Sequence, residues 1–209
     1  MIKVVICDDH PVCREGLKKS FSQTLDIKVA AEALSGADLK EILARTACDV
    51  VILDISLPGG NGLEILKDLA REKPGLPVLM LSMHPEDQYA IRALRLGAAG
   101  YMPKDCPMTE LVGALRKVAT GHKYIRPSQA ELLAGEFQHG NRPALERLSD
   151  RELQVMLELA SGRGVKEIAQ KLSVSPSTIG SHRTRILEKL GLHTNADLVR
   201  YAVDNHLLK

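Results

Sequence analysis

The stretch VVILDISLPGGNG, residues 50–62, places Asp54 directly after a short apolar run rich in β-branched side chains. A run of this length, followed by a turn rich in proline and glycine, is typical of a strand buried on both faces. Comparable runs are IKVVIC at 2–7, PVLML at 77–81 and AGYMP at 99–103, and segments with helical periodicity separate them. The pattern predicts repeated βα units around a parallel sheet.

Polar side chains follow each of these runs. Asp8 and Asp9 come after the first run, and Asp54, Ser82 and Lys104 follow the three others. Open parallel sheets bind ligands outside the carboxyl ends of their strands, so we expect the five side chains to share one pocket. Three neighbouring carboxylates raise one another's pKa unless a cation lies among them, and Mg²⁺ prefers such oxygen ligands. The pocket is therefore predicted to bind a phosphoryl group, with Asp54 as the nucleophile.

Each of these residues also has an ordinary structural interpretation. An acidic residue after a strand is often a helix cap, and Asp8 and Asp9 could simply cap the first helix. Lys104 could form a surface pair with Asp105, which would contribute little to stability. The convergence of five chemically matched residues at strand ends favours the phosphoryl site over these alternatives.

The motifs resemble the receiver domain of two-component response regulators over about the first 120 residues. The resemblance implies an α/β fold of the flavodoxin type, with a doubly wound parallel sheet of five strands. The resemblance rests on the acidic pair, the 50–62 stretch, PVLMLS and YMPK. It implies that Asp54 accepts a phosphoryl group from a sensor histidine kinase or a small acyl phosphate. Asp9 would bind Mg²⁺ directly and Asp8 through water, while Asp54 and the backbone carbonyl of Ser56 would complete the protein's ligands. Such a domain promotes only its own phosphotransfer and dephosphorylation and is not otherwise an enzyme.

The same resemblance implies a conformational switch. Ser82 would follow the phosphoryl group, Lys104 would contact it, and Tyr101 would turn inward when Ser82 moves. A different interpretation of Tyr101 is a half-buried tyrosine at a strand end with its hydroxyl in water. The residues alone leave both interpretations open.

Composition points to a soluble protein that stays in the cytoplasm. The amino terminus has a strand pattern, and no apolar run approaches the roughly 18 residues of a spanning helix. Cys7, Cys13, Cys48 and Cys106 show no C-x-x-C spacing, which argues against zinc and a disulfide framework. We expect them to be reduced packing residues.

The pattern changes after residue 120, and we predict three segments. They are a first domain at 1–120, a linker with a short helix at 121–146, and a second domain at 147–209. Apolar residues after Leu148 follow helical periodicity, which predicts four helices. Their start and stop signals are Ser149 with Glu152, Ser175 with Pro176, Gly191, and Thr194.

The second and third of these helices, joined by the turn SVS at 173–175, predict a helix-turn-helix that binds double-stranded DNA. Polar and small residues on the second helix could contact bases or phosphates, although a polar helix face is also commonly just solvated. The candidate contacts are Lys166, Lys171, Ser177, Thr178, Gly180, Ser181, His182, Arg183, Thr184 and Arg185. We interpret His182 as structural or phosphate-contacting rather than as a pH sensor.

The segment from Leu148 to Ala202 resembles the LuxR-type DNA-binding domain, and the chain as a whole resembles the NarL/FixJ family of response regulators. The resemblance implies release of the DNA-binding domain on phosphorylation and homodimers on paired half-sites, with RNA polymerase as a further candidate partner. The candidate dimer contact is the apolar face of the fourth helix, although the same residues could close the domain core: Leu198, Val199, Ala202 and Val203. Gly180 departs from the family, in which many members carry a lysine there.

Two rival interpretations differ in class, and a third is an intermediate case. A haloacid-dehalogenase-like phosphatase also uses a strand-end aspartate, but it needs a second aspartate where this chain has Ser56. A ligand-sensing LuxR-type regulator would leave the five strand-end residues of the first domain as coincidence. A receiver that keeps its pocket but signals without phosphorylation stays compatible with the sequence.

Overall fold

The computed structural model describes residues 1–58, 60–84, 86–139, 144–205 and 207–208. The chain divides into two compact units, Met1–Gln138 and His139–Lys209. Within the described part of the chain, no helix combines the length and the apolar character needed to cross a bilayer.

The first unit alternates strands and helices. Its strands are β1 (Ile2–Cys7), β2 (Ile27–Ala33), β3 (Val50–Leu53), β4 (Ser56–Leu57), β5 (Gly60–Asn61), β6 (Val78–Ser82) and β7 (Gly100–Pro103). Its helices are α1 (Pro11–Phe21), α2 (Gly36–Arg45), α3 (Gly62–Glu72), α4 (Glu86–Arg95), α5 (Met108–Ala119) and α6 (Pro127–His139). Strands β4 and β5 form a small antiparallel pair between β3 and α3.

The main sheet has five strands in the order β2-β1-β3-β6-β7, and every neighbouring pair is parallel. This confirms the predicted five-stranded parallel fold. Side chains of β1 and β3 such as Val4 and Ile52 pack in one core with Phe21 of α1 and Leu115 of α5. All four residues of β3 are buried, which explains why its sequence is an unbroken apolar run.

The first unit extends further along the chain than the predicted boundary at 120. Tyr124 forms a parallel bridge with Gly100 of β7, and α6 has thirteen residues where a short helix was expected. The residues from Tyr124 to Gln129 therefore belong to the first compact unit. The part of the predicted linker at 140–143 lies outside the described residues.

The second unit is helical, as predicted. A 3₁₀ turn (Ala144–Arg147) precedes α7 (Asp150–Ala160), α8 (Val165–Lys171), α9 (Pro176–Leu190) and α10 (Asn195–Asp204). Ser149 with Glu152, and Thr194 with Asp197, form complete capping boxes. Ser175 caps α9, and Gly191 ends it with a left-handed φ of 67°. Local capping chemistry therefore sets these helix boundaries.

The apolar face of α10 divides into two parts. Leu198 and Ala202 are fully buried and close the core of the second unit. Val199 and Val203 are 36% and 56% exposed. The core interpretation therefore holds for the first pair, and the second pair stays available as a candidate dimer contact.

Candidate functional site

The ends of the strands bring the predicted residues of the first unit together at one edge of the sheet. The amide of Asp8 donates to Ala33 at the end of β2, and the amide of Asp54 donates to Cys7 at the end of β1 (3.2 and 2.9 Å). The amide of Lys104 donates to Ser82 across the β6–β7 pair at 2.9 Å. Backbone hydrogen bonds therefore extend the sheet by one residue and fix where these side chains begin.

Lys104 binds two buried carboxylates. Its Nζ lies 2.7 Å from Asp8 Oδ2 and 2.8 Å from Asp54 Oδ2, and both aspartate side chains are only 3% exposed. Lys104 is therefore not the surface residue that the alternative pairing with Asp105 requires. A single ammonium group holds together side chains that are about fifty residues apart in sequence.

Burial and charge act in opposite directions on these groups. Burial raises the pKa of Asp54, and this outweighs the nearby Lys104 ammonium. Burial also pushes the pKa of Asp8 upward, but hydrogen bonds from Lys104, the Cys13 thiol and the His10 backbone outweigh it, so that pKa is lowered. The pKa of Lys104 is raised because the two carboxylates overcome its own burial. The site therefore holds more negative charge than one lysine can balance.

Asp9 adds a third carboxylate, whose buried Oδ1 atom lies 2.9 Å from His10 Nδ1 but accepts no well-aligned hydrogen bond from the described residues. Ligand atoms of Asp8, Asp9, His10 and Asp54 all lie within 4.8 Å of one another. Such a donor set, with an oxygen that lacks a hydrogen-bond partner, fits a divalent cation. The N-cap of α1 is His10, not an aspartate, which contradicts the simple capping interpretation.

His10 was not among the residues predicted for the site. Its Nδ1 lies 2.9 Å from Asp9 Oδ1 and 3.1 Å from Asp8 Oδ1. A histidine directly after an acidic pair was the available signal in the sequence. The ring nitrogen can act as a further ligand to a cation.

A second set of contacts lies beside Asp54. Ser56 Oγ and His84 Nε2 are 2.9 Å apart, and the amide of His84 donates to Ser82 Oγ at 3.2 Å. Ser82 is fully buried at the end of β6. The hydroxyl predicted to follow a phosphoryl group therefore also holds the turn after β6.

Tyr101 is fully buried, and its hydroxyl donates to the backbone carbonyl of His84 at 2.8 Å. Burial raises the pKa of Tyr101 far above its ordinary value, so the phenol is a neutral donor. The half-buried alternative with a wet hydroxyl is wrong. The ring already points inward in this structure, and the movement of Tyr101 with Ser82 stays a prediction.

In the second unit, the predicted DNA contacts differ in their surroundings. Six of them are exposed on α8 and α9: Lys166, Lys171, Ser177, Ser181, Thr184 and Arg185. Thr178, Gly180, His182 and Arg183 are half-buried. Arg183 Nε donates to Asn195 at 2.6 Å, and Lys171 donates to the buried Glu158 at 2.6 Å. These two cations already have partners inside the unit.

His182 and Gly180 occupy special positions on α9. Burial lowers the pKa of His182, and the Arg151 charge adds to this effect. The ring is half-buried, and our interpretation of His182 as structural or phosphate-contacting stays a prediction. A Cβ atom at Gly180 would meet nothing within 4 Å, so packing inside the unit does not require glycine there.

Comparison with known proteins assigns both units to described families. The response regulator receiver domain family matches residues 4–116, and the luxR family of bacterial regulatory proteins matches residues 146–202. The response regulator UvrY of Escherichia coli K12 is 36% identical over 99% of this chain and 96% of UvrY. The response regulator GacA of Pseudomonas aeruginosa is also 36% identical, over 97% of this chain and 96% of GacA.

A solved structure covers both units. It is RcsB from Salmonella enterica serovar Typhimurium bound to the promoter rprA in the presence of the phosphomimetic BeF₃⁻. It has a TM-score of 0.65 and 29% identity, and the match covers 96% of this chain and 97% of RcsB. The similarity therefore extends over the order of the two units as well as over each fold.

Proposed function

Because the chain belongs to the NarL/FixJ family of two-component response regulators with a LuxR-type DNA-binding domain, we propose that phosphorylation of Asp54 by a sensor histidine kinase controls its binding to DNA. The observation that carries the proposal is the buried Asp54 carboxylate, 2.8 Å from Lys104 and within a cluster of cation ligands. Transfer would join an Asp54 oxygen to phosphorus while the bond from phosphorus to the donor's nitrogen, or to the oxygen of an acyl phosphate, breaks.

Asp9, Asp54 and the backbone carbonyl of Ser56 would hold Mg²⁺ directly, and Asp8 would act through water. Bound there, the cation would neutralise charge on the transferring phosphoryl oxygens. Lys104 Nζ donates to Asp54 Oδ2 in this structure. After transfer it would bind a phosphoryl oxygen, because the phosphoryl group carries more negative charge than the Asp54 carboxylate. Ser82 would donate its hydroxyl proton to another phosphoryl oxygen. A hydroxyl that donates can still accept, so it is the displacement of Ser82 Oγ toward the phosphoryl group that would break the hydrogen bond from the His84 amide.

The contact between Ser56 and His84 is expected to set the lifetime of the phosphorylated state. The two side chains form a hydrogen bond to each other beside Asp54. Together they would cover the path of a water molecule that attacks the phosphoryl group. We expect Ser56→Ala and His84→Ala each to speed the loss of the phosphoryl group by several-fold. Intact mass, followed over time after the phosphoryl donor is removed, measures the decay.

The double variant Ser56→Ala/His84→Ala is the matched control for this contact. Each single substitution breaks the same hydrogen bond. We therefore expect the double variant to lose its phosphoryl group at about the same rate as either single variant. Decay at the wild-type rate in both single variants would reject a role in the lifetime.

Gly180 offers a test of the DNA-binding face. Because a side chain at this position meets open space, Gly180→Ala should stabilise the second unit by about 1 kcal/mol through helix propensity. Gly180→Lys should add one phosphate contact and steepen the slope of log affinity against log salt by about 0.9. Chemical unfolding gives the first quantity, and fluorescence anisotropy on a random-sequence duplex gives the second.

Gly180→Ala is the control for charge in that experiment, since it has the same helical backbone without the ammonium. An equal salt slope for both variants would place this helix face away from DNA.

The proposed regulation includes homodimers on paired half-sites, with Val199 and Val203 as exposed candidate contacts. A direct test uses a duplex that the protein itself selects from a random-sequence pool. Affinity is measured with and without acyl phosphate and Mg²⁺, and mass in solution is measured under the same conditions. We expect tighter binding and a dimer in the treated wild type, and neither change in Asp54→Asn.

A further inference from the structure

The chain returns to the sheet just after α5. The amide of Tyr124 donates to Ala99 at 2.7 Å, and Tyr124 bridges Gly100 at the start of β7. A Cβ atom on Gly100 would lie 2.8 Å from the Tyr124 carbonyl oxygen, so a glycine is needed for this approach. The segment Tyr124–Gln129, which we call the clasp, is thereby docked beside the strand that carries Tyr101.

The clasp buries one polar side chain completely. Gln129 has no exposed surface, and its Nε2 donates to the backbone carbonyl of Tyr101 at 2.8 Å. Its Oε1 accepts from the amide of Arg126 at 3.2 Å. A buried amide keeps these hydrogen bonds only while the clasp stays docked, and their loss without water would be costly.

Charged side chains fix the clasp to two helices. The Arg126 guanidinium donates to Glu86 at the first residue of α4, and to Glu110 in the first turn of α5 at 2.9 Å. Ser128 Oγ donates to the other Glu86 oxygen, and Tyr124 donates to Glu110, both at 2.9 Å. The side chains of Arg126, Glu86 and Glu110 are largely covered, so their ion pairs are less screened than surface pairs.

Two of the residues that hold the clasp, Glu86 and Gln129, are linked to residues of the proposed switch. Glu86 is two positions beyond His84, whose carbonyl holds the Tyr101 hydroxyl and whose amide holds Ser82. Gln129 holds the Tyr101 carbonyl. A shift of Ser82 toward a phosphoryl group would move the turn that leads to Glu86, whereas Glu110 stands on another helix. The two carboxylates that share Arg126 would then be pulled apart.

We propose that the clasp is the output element of this receiver: phosphorylation loosens it and thereby frees α6, the helix that leads into the DNA-binding unit. This inference rests on the proposed function and adds the route by which the phosphoryl group acts. The clasp would respond to the switch within the first unit, because its hydrogen bonds depend on the positions of both Glu86 and Tyr101.

Hydrogen exchange and DNA affinity test the clasp on the full chain. In the wild type, acyl phosphate and Mg²⁺ should speed amide exchange at residues 124–130 and change DNA affinity by about fivefold or more. In Arg126→Gln, amide exchange at 124–130 should be fast without phosphorylation. The affinity ratio, which is the DNA affinity with acyl phosphate and Mg²⁺ divided by the affinity without them, should fall to about twofold or less. Arg126→Lys keeps the positive charge but lacks the planar guanidinium that can donate to two carboxylates at once. We therefore expect its exchange rate and its response to phosphorylation to lie between those of the wild type and Arg126→Gln.

The control is Arg116→Gln. Arg116, on α5, makes a two-point pair with Asp26 at 2.7 and 2.9 Å that is more exposed than the Arg126 pairs and lies outside the clasp. It should leave both the exchange at 124–130 and the affinity ratio as in the wild type.

The intact mass of every sample distinguishes a failure of the proposed function from a failure of the clasp mechanism. A wild type without a phosphoryl adduct on Asp54 would reject the proposed function and the clasp mechanism with it. An adduct accompanied by unchanged or slower exchange at 124–130, or by a wild-type affinity ratio in Arg126→Gln, would overturn the clasp alone.

Discussion

Gly62→Ala is expected to destabilise the first unit by about 3 kcal/mol, at the upper end of overpacking substitutions. A Cβ atom at this first residue of α3 would lie 2.0 Å from the Asp54 carbonyl oxygen and 2.8 Å from Ile55 Cα. Both atoms belong to backbone beside β3, which is buried and cannot give way cheaply. Thermal unfolding should show a midpoint lower by roughly 10 °C, since 1 kcal/mol corresponds to about 2–4 °C at this size.

The same substitution should impair the site, because relief of the clash displaces the main chain that carries Asp54. We expect at least a tenfold slower uptake of a phosphoryl group from acyl phosphate. Gly60→Ala is the matched control, since its Cβ would meet nothing within 4 Å. Equal stability of the two alanine variants would show that β3 and α3 can separate, against the packing described.

Lys104→Met should cost about 3–5 kcal/mol in the absence of divalent cations, because it leaves Asp8 and Asp54 buried without their ammonium partner. Addition of Mg²⁺ at a hundred times its dissociation constant should recover about 2.7 kcal/mol. Urea unfolding with EDTA and with Mg²⁺ measures both quantities. A variant as stable as the wild type in EDTA would contradict the charge balance described for this site.

The pH dependence of that loss has a defined sign. Burial raises the pKa of Asp54 in the folded protein above its unfolded value, so Asp54 costs stability as pH rises above the unfolded value. Without Lys104 the folded pKa of Asp54 should rise further, and the free energy of unfolding should fall more steeply from pH 4 toward neutrality. The double variant Lys104→Met/Asp54→Asn removes this charge and should flatten the slope.

Much of the fold could be predicted because its signals are local. The apolar run before Asp54 became β3, all of whose residues are buried. The capping signals at Ser149, Ser175 and Thr194 each satisfy the backbone amides of a helix start. The meeting of the strand-end residues followed from sheet geometry alone.

What the sequence did not predict depends on contacts between distant residues. Gln129 and Tyr101 are 28 positions apart, and Arg126 and Glu86 are 40 apart, so no local pattern indicates the clasp. Lys171 has the sequence character of a phosphate contact, yet it binds Glu158, an acid that only the packing of the helices buries. Local periodicity gives the bounds of elements but not the side chains that meet across them.

Whether Asp54 accepts a phosphoryl group can be read from the intact mass of the full chain after incubation with Mg²⁺ and a small acyl phosphate, beside Asp54→Asn. We expect one phosphoryl adduct on the wild type and none on the variant. An equal adduct on both proteins, or none on a folded wild type that binds Mg²⁺, would contradict Asp54 as the phosphoryl acceptor.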